Sequence, residues 1–83
     1  MLFMVELHYA EQHRDEALRF FWEHGATGHP GSVALKELWV ATQDRVAYAL
    51  VDAPDQAQVA QAGKPLEPFG KLTIRQVTSV DEI

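Results

Sequence analysis

The first apolar segment of the chain carries a carboxylate and a histidine at a spacing that suits proton transfer. Glu6 and His8 lie two residues apart within residues 1–9, which read as a β-strand. Because side chains alternate across a strand, both lie on one face, about 7 Å apart along it. A nearby carboxylate could orient a histidine as a general base. In a structural interpretation, Glu6 instead pairs with Arg75 of the last predicted strand, since a buried carboxylate needs a partner, and His8 meets solvent at the strand end. His8, Glu6 and Arg75 are therefore the candidate catalytic residues.

Two aromatic residues and one loop histidine are the candidate ligand contacts. A tight turn at residues 43–44 would place Trp39 opposite Tyr48 on neighbouring strands. There they could wall a pocket or form the core of an interface. His29 lies in the glycine-rich segment 25–32, which follows a helix and precedes a strand, whereas a phosphate cradle needs the reverse order. This segment is either a lid over a pocket mouth or a solvated connector.

Other classes of chemistry find little support in the composition. The chain has no cysteine, and its four histidines show no short metal-ligand spacing, although His8 and His29 from separate elements could still meet. The net charge of −5, with seven scattered basic residues, argues against nucleic acids and anionic membranes. No apolar run approaches the ~20 residues that span a bilayer. We expect no metal, no cofactor, no nucleic-acid or membrane partner, and a cytoplasmic protein.

The elements that position these residues follow the order β-α-β-β-α-β. This order predicts an α+β, ferredoxin-like fold with a four-stranded antiparallel sheet and both helices on one face. Strands one and three are expected in its centre, and residues 1–83 are expected to form a single domain. Asp52 is the predicted N-terminal cap of the second helix. The predicted segments are the strand 1–9, the helix 11–24, the hairpin strands 33–42 and 45–52, the helix 54–62 and the strand 71–80.

The face of the sheet opposite the helices is left without a cover. Phe3, Val5 and Leu7 are expected to contact the helices. A contiguous apolar patch usually marks an interaction surface, and a second copy is the simplest cover. We therefore predict a homodimer through this face. Besides Glu6, His8, Glu37 and Arg75, the uncovered face is expected to carry Leu2, Met4, Leu35, Trp39, Val46, Tyr48 and Leu50.

The opening Met1-Leu2-Phe3-Met4-Val5 segment and the Leu38-Trp39-Val40 segment resemble a small domain family of unknown function. That family lies within the dimeric α+β barrel superfamily, and the resemblance covers nearly the whole chain. It implies a dimeric α+β barrel in which ligands commonly lie between the sheet and the helices or loops. Superfamily members include monooxygenases, isomerases, haem-binding enzymes and ligand-sensing modules, so the fold alone does not choose among them.

Two functions of different classes follow. The first is a small homodimeric protein that binds a small organic molecule in a cavity between sheet and loop. Cofactor-independent monooxygenase- or isomerase-like chemistry would be its catalytic form. The alternative is a non-catalytic structural or interaction domain whose open sheet face serves only for dimerisation.

Overall fold

The four strands form one antiparallel sheet in the order β2-β3-β1-β4. A computed structural model of the chain describes residues 1–24 and 33–83, with residues 21–24 described by their backbone alone. Strands β1 and β3 are central, as predicted, and the ferredoxin-like α+β fold is confirmed. The strands are β1 (Leu2–Tyr9), β2 (Ala34–Ala41), β3 (Val46–Asp52) and β4 (Gly70–Val77).

Two α-helices and three short 3₁₀ segments complete the described chain. Helix α1 (Arg14–His24) begins after a 3₁₀ turn at Glu11–His13, so the first turn of the predicted helix is wound more tightly than the rest. Helix α2 (Gln56–Gly63) continues directly into a 3₁₀ segment, Lys64–Phe69, where the sequence had indicated only a connector. The last strand ends at Val77, three residues earlier than predicted, and a 3₁₀ turn follows at Val80–Glu82.

The core lies between the helices and one face of the sheet. The odd-numbered residues of β1 are buried there, as predicted, together with small residues of β3. Ala17 of α1 and Val59 of α2 belong to the same cluster, so both helices cover this face. Small side chains on β3 let the helices approach the sheet closely. The sheet residues of the core are Phe3, Val5, Leu7, Tyr9, Ala47, Ala49 and Val51.

The β2–β3 hairpin has the predicted register with one irregularity. Trp39 pairs with Tyr48 and Leu38 with Ala49, as the sequence indicated. The register shifts between Leu35 and Glu37, because a β-bulge at this point inserts one extra residue into β2. The prediction that Leu35 lies on the uncovered face is therefore wrong. The bulge turns Leu35 toward the core, where it packs against the buried cluster.

The cap of helix α2 is Asp55 rather than the predicted Asp52. The Asp55 carboxylate accepts a hydrogen bond from the backbone N–H of Gln58 at 2.9 Å, in the usual N-cap geometry. Asp52 remains in strand β3, where the Met1 ammonium group donates to its Oδ1 at 3.0 Å. That hydrogen bond and charge hold the pKa of the Asp52 carboxyl below its ordinary value. Asp52 thus ties the start of the chain to β3.

Candidate functional site

The face of the sheet turned away from the helices is a regular grid of side chains, which we call the open face. Strand pairing aligns its residues in four rows, each crossing the sheet in the order β2, β3, β1, β4. Successive rows lie about 7 Å apart and neighbouring strands about 4.8 Å apart. The rows are Ala34, Asp52, Leu2, Val77 (first); Glu37, Leu50, Met4, Arg75 (second); Trp39, Tyr48, Glu6, Thr73 (third); and Ala41, Val46, His8, Lys71 (fourth).

A cluster of three ionisable side chains is centred on Glu6. The Glu6 side chain is only 12% exposed, and its Oε2 lies 3.3 Å from a guanidinium nitrogen of Arg75. Its Oε1 lies 3.9 Å from Nε2 of His8, which is too long for a hydrogen bond but close enough for attraction when the imidazole is protonated. Glu6 therefore lies close to both of the side chains that the sequence interpretations gave it as partners. The carboxylate pairs with Arg75 and also faces His8.

The predicted aromatic residues lie beside this cluster, in the same row as Glu6. Tyr48 is the neighbour of Glu6 across β1 and β3, and Trp39 is the neighbour of Tyr48 across β3 and β2. Trp39 is 48% exposed although it is among the largest apolar side chains of the open face. The structure therefore brings together five of the six predicted site residues. The sixth, His29, lies outside the residues that the structure describes.

Strand β4 adds two polar residues that sequence reasoning did not select. Lys71 and Thr73 share the open face with Arg75, and they are the partners of His8 and Glu6 across the β1–β4 pair. Alternation along the strand, which places residues 71, 73 and 75 on one face, was the signal that could have found them. With them, the β1–β4 half of the open face carries all of its basic side chains, while the β2–β3 half carries the aromatic ones.

An open cleft of about 460 Å³ lies at the other end of the sheet, away from His8. Leu2, Asp52 and Val77 of the first row line it, together with Lys36 and with Glu82 from the 3₁₀ turn that follows β4. None of the five predicted site residues that the structure describes lines this cleft. Lys36 occupies the bulge of β2, a distortion that hydrophobic periodicity does not reveal.

Two buried polar atoms on the helix side of the sheet also escaped the sequence analysis. Among residues 1–24 and 33–83, no hydrogen-bond partner is found for the hydroxyl of Tyr9, a residue 4% exposed, or for Nδ1 of His13, which lies 3.7 Å from Oε1 of Glu16. The His13 ring lies 6.1 Å from the ring of Phe69, which in turn lies 6.4 Å from the ring of Phe20. Buried polar atoms of this kind are usually satisfied by an ordered water. The burial of these atoms depends on tertiary packing, so it could not be predicted from the sequence pattern.

Among residues 1–24 and 33–83, neither a metal-ligand cluster nor a membrane-spanning helix is present. Within those ranges, no group of three or more His, Asp or Glu side chains is arranged to hold a metal ion. Over the same ranges, no helix has the length and apolarity needed to cross a membrane.

The Glu6–Arg75 pair predicts an asymmetry between two substitutions. Arg75→Met should lower the free energy of unfolding by about 1 kcal/mol, because it leaves a mostly buried carboxylate beside only His8. Glu6→Leu should cost less, because Arg75 is 67% exposed and water can solvate its charge. The double variant should then be more stable than Arg75→Met alone. Urea denaturation of the four proteins at one concentration measures this, and equal losses in both single variants would contradict the assigned pairing.

Comparisons with known proteins agree with this fold and leave the chemistry open. The chain is similar in structure to an uncharacterized NIPSNAP domain protein from Burkholderia xenovorans, solved by crystallography. That likeness has a TM-score of 0.60 and 14% identity, and it covers 96% of this chain and 97% of the other. At this identity the likeness shows the fold alone. Among curated proteins, none matches the chain.

The family comparison covers the whole chain. A family model described as "Domain of unknown function (DUF3303)" matches residues 1–83. The resemblance to a small domain family of unknown function, drawn above from the opening segment and from Leu38-Trp39-Val40, is confirmed by this match. The chain therefore belongs to the DUF3303 family.

Proposed function

We propose that this protein is a homodimer, formed through the open face, that binds a small organic molecule near His8. The observation that carries the proposal is the Glu6-centred cluster. A carboxylate that is 12% exposed lies between a guanidinium and an imidazole on a face that no described helix covers. Ionisable groups gathered beside aromatic walls are typical of ligand sites.

The apolar part of the open face supports the homodimer. Leu2, Met4, Tyr48 and Leu50 are only partly covered, and Trp39 is half exposed. The open face measures roughly 14 Å across the strands and 20 Å along them, from standard strand spacings. Burial of apolar surface supplies about 25 cal/mol per Å². A second sheet laid against it would add stability to a chain of 83 residues, which has a small core of its own.

The polar part of the open face supports ligand binding and proton transfer. His8 is 49% exposed, so its imidazole is accessible from solvent, while Oε1 of Glu6 lies 3.9 Å from Nε2. In the catalytic form of the proposal His8 takes or gives the proton, and Glu6 stabilises the imidazolium that results. Arg75 pairs with Glu6 and holds it in place, and Trp39 and Tyr48 wall a flat ligand. Isomerase-like chemistry needs only such a proton transfer, whereas monooxygenase-like chemistry also needs dioxygen as the oxidant.

A second candidate function is a non-catalytic interaction domain. The Glu6–Arg75 contact at 3.3 Å favours it, because this pair would serve equally well to neutralise a carboxylate inside an interface. In that case the open face exists for dimerisation alone, and His8 has no ligand.

The two functions differ in the response of the His8→Ala variant. The intact protein would be screened by thermal shift against a library of small organic acids, phenols and lactones. A ligand present at 100 times its Kd should stabilise the wild type by about 2.7 kcal/mol. For any ligand found, His8→Ala should lose this stabilisation and keep the dimer mass.

The matched control is Lys36→Ala, which alters the distant cleft and should leave binding unchanged. Loss of binding in Lys36→Ala with retention in His8→Ala would move the ligand to that cleft and contradict the proposed location. Loss of the dimer in His8→Ala would favour the interaction domain instead.

A further inference from the structure

We propose that the two-fold axis of the homodimer runs parallel to the strands, so that β2 of one subunit lies over β4 of the other and β3 lies over β1. This inference rests on the proposed homodimer and adds its orientation. Packed sheets commonly keep their strands within about 30° of each other. When the strands of the two sheets are aligned, a two-fold axis that lies in the plane between the sheets runs either parallel or perpendicular to the strands. These two orientations bring different residues together.

Charge complementarity in the second row favours the parallel axis. A parallel axis keeps the rows in order and exchanges the two edges of the sheet. Glu37, on the β2 edge, then lies over Arg75 of the partner subunit, on the β4 edge of the same row. Both side chains are exposed in the single chain. The two-fold symmetry forms this ion pair twice, once at each edge of the interface.

The central positions of the same arrangement are also complementary. Leu50 lies over Met4 of the partner subunit, which is an apolar contact at the middle of the second row. In the third row, Tyr48 lies over Glu6 of the partner subunit, so a phenol hydroxyl can donate to a carboxylate that the interface would otherwise desolvate. In the second and third rows, each charged group thus meets a donor or an opposite charge.

A perpendicular axis gives Glu6 and Glu37 no favourable partner across the interface. Centred between the second and third rows, it places Glu37 over Trp39 of the partner subunit and Met4 over Glu6. Centred on the second row, it places Glu37 against Glu37, and centred on the third row it places Glu6 against Glu6. Burying like charges, or a carboxylate against a thioether, is costly. The parallel axis avoids all three conflicts.

The parallel axis also makes the site at His8 a shared one. Because rows keep their order, the fourth rows of both subunits meet at the same end of the interface. That end then carries His8 and Lys71 from each subunit, whereas a perpendicular axis centred between the second and third rows would place His8 over Leu2 of the partner subunit. The partner copy thus contributes ionisable residues to the site, and a single chain holds only half of them.

The absence of cysteine from the chain allows a direct test by crosslinking. The full-length variants Glu37→Cys and Arg75→Cys would be prepared separately, mixed, allowed to exchange subunits and treated with a short bis-maleimide. The mixture should yield covalent dimers, and each variant alone should not. In a parallel dimer the two β2 edges lie on opposite sides, separated by about 14 Å across the sheet in addition to the distance between sheets. A second pair, Trp39→Cys with Thr73→Cys, tests the same alignment without removing an ion pair.

The outcomes separate the orientation from the homodimer itself. Covalent dimers of Glu37→Cys with itself, or a dimeric mass with no crosslinking in either mixture, would overturn the parallel axis and leave the homodimer standing. A monomeric mass for the wild type, measured by sedimentation, would overturn the homodimer and the orientation together. Crosslinking confined to the two mixtures establishes the orientation.

Discussion

The Gly70→Ala variant is expected to lose about 3 kcal/mol or more of unfolding free energy, a cost at the upper end for overpacking. Gly70 is the first residue of β4 and pairs with Tyr9 at the end of β1. A Cβ atom at Gly70 would collide with the carbonyl oxygen of His8 and would lie 2.7 Å from the Cα of Tyr9. These are backbone atoms inside a strand pair, so relief requires the two strands to separate. Urea denaturation followed by circular dichroism measures the loss.

Gly63→Ala is the matched control for this prediction. A Cβ atom at Gly63 would lie 2.6 Å from Cδ2 of Leu72, the far end of a flexible side chain. Rotation of that side chain can relieve the contact, and alanine gains about 1 kcal/mol of helix propensity over glycine at a helical position. Gly63→Ala should therefore cost far less than Gly70→Ala. Equal losses in the two variants would show that backbone proximity at Gly70 is not what limits substitution.

The Leu50→Arg variant is expected to dissociate the proposed homodimer while leaving the fold intact. Leu50 lies on central strand β3 in the second row, at the middle of the open face. A guanidinium there would be buried against an apolar partner, which costs about 3 kcal/mol or more and weakens association at least a hundredfold. In the single chain the same arginine can reach solvent, because Leu50 is only partly buried. Sedimentation and circular dichroism of the variant at micromolar concentration measure both effects.

Gln61→Arg is the control for the added charge. Gln61 is exposed on helix α2, on the side of the molecule away from the open face. This variant has the same net charge change relative to the wild type and should keep the mass of the wild type. Dissociation in both variants would point to a general charge effect. Retention of the dimer in Leu50→Arg would place the interface elsewhere.

Most of the fold could be predicted from the sequence, because the spacing of apolar residues distinguishes its strands from its helices. The odd-numbered residues of β1, from Phe3 to Tyr9, form an uninterrupted apolar set, and all of them are buried. The register of the hairpin could be predicted by counting residues outward in both directions from a turn at residues 43–44, which pairs Trp39 with Tyr48. The bulge between Leu35 and Glu37 could not be predicted, because one extra residue in a strand leaves no mark on composition. It reversed the expected face of Leu35.

Part of the candidate site could also be predicted, because side chains alternate between the two faces of a strand. Alternation alone placed Glu6 and His8 on one face, and the need of a carboxylate for a counter-ion selected Arg75, which lies 3.3 Å from it. The choice between Asp52 and Asp55 as helix cap was not decidable by pattern, since both precede the helix at workable spacings. In the folded chain Asp52 is held by the Met1 ammonium group, a contact between residues far apart in the sequence, and Asp55 caps the helix. Contacts of that kind depend on the assembled sheet.

The most direct test of the account is the mass of the wild-type protein in solution. Sedimentation equilibrium at protein concentrations between 1 and 100 μM detects a homodimer whose Kd is micromolar or lower. We expect a single species with twice the 9.3 kDa mass of one chain at micromolar concentration. A 9.3 kDa monomer throughout that range would contradict the account, because the open face would then need another partner.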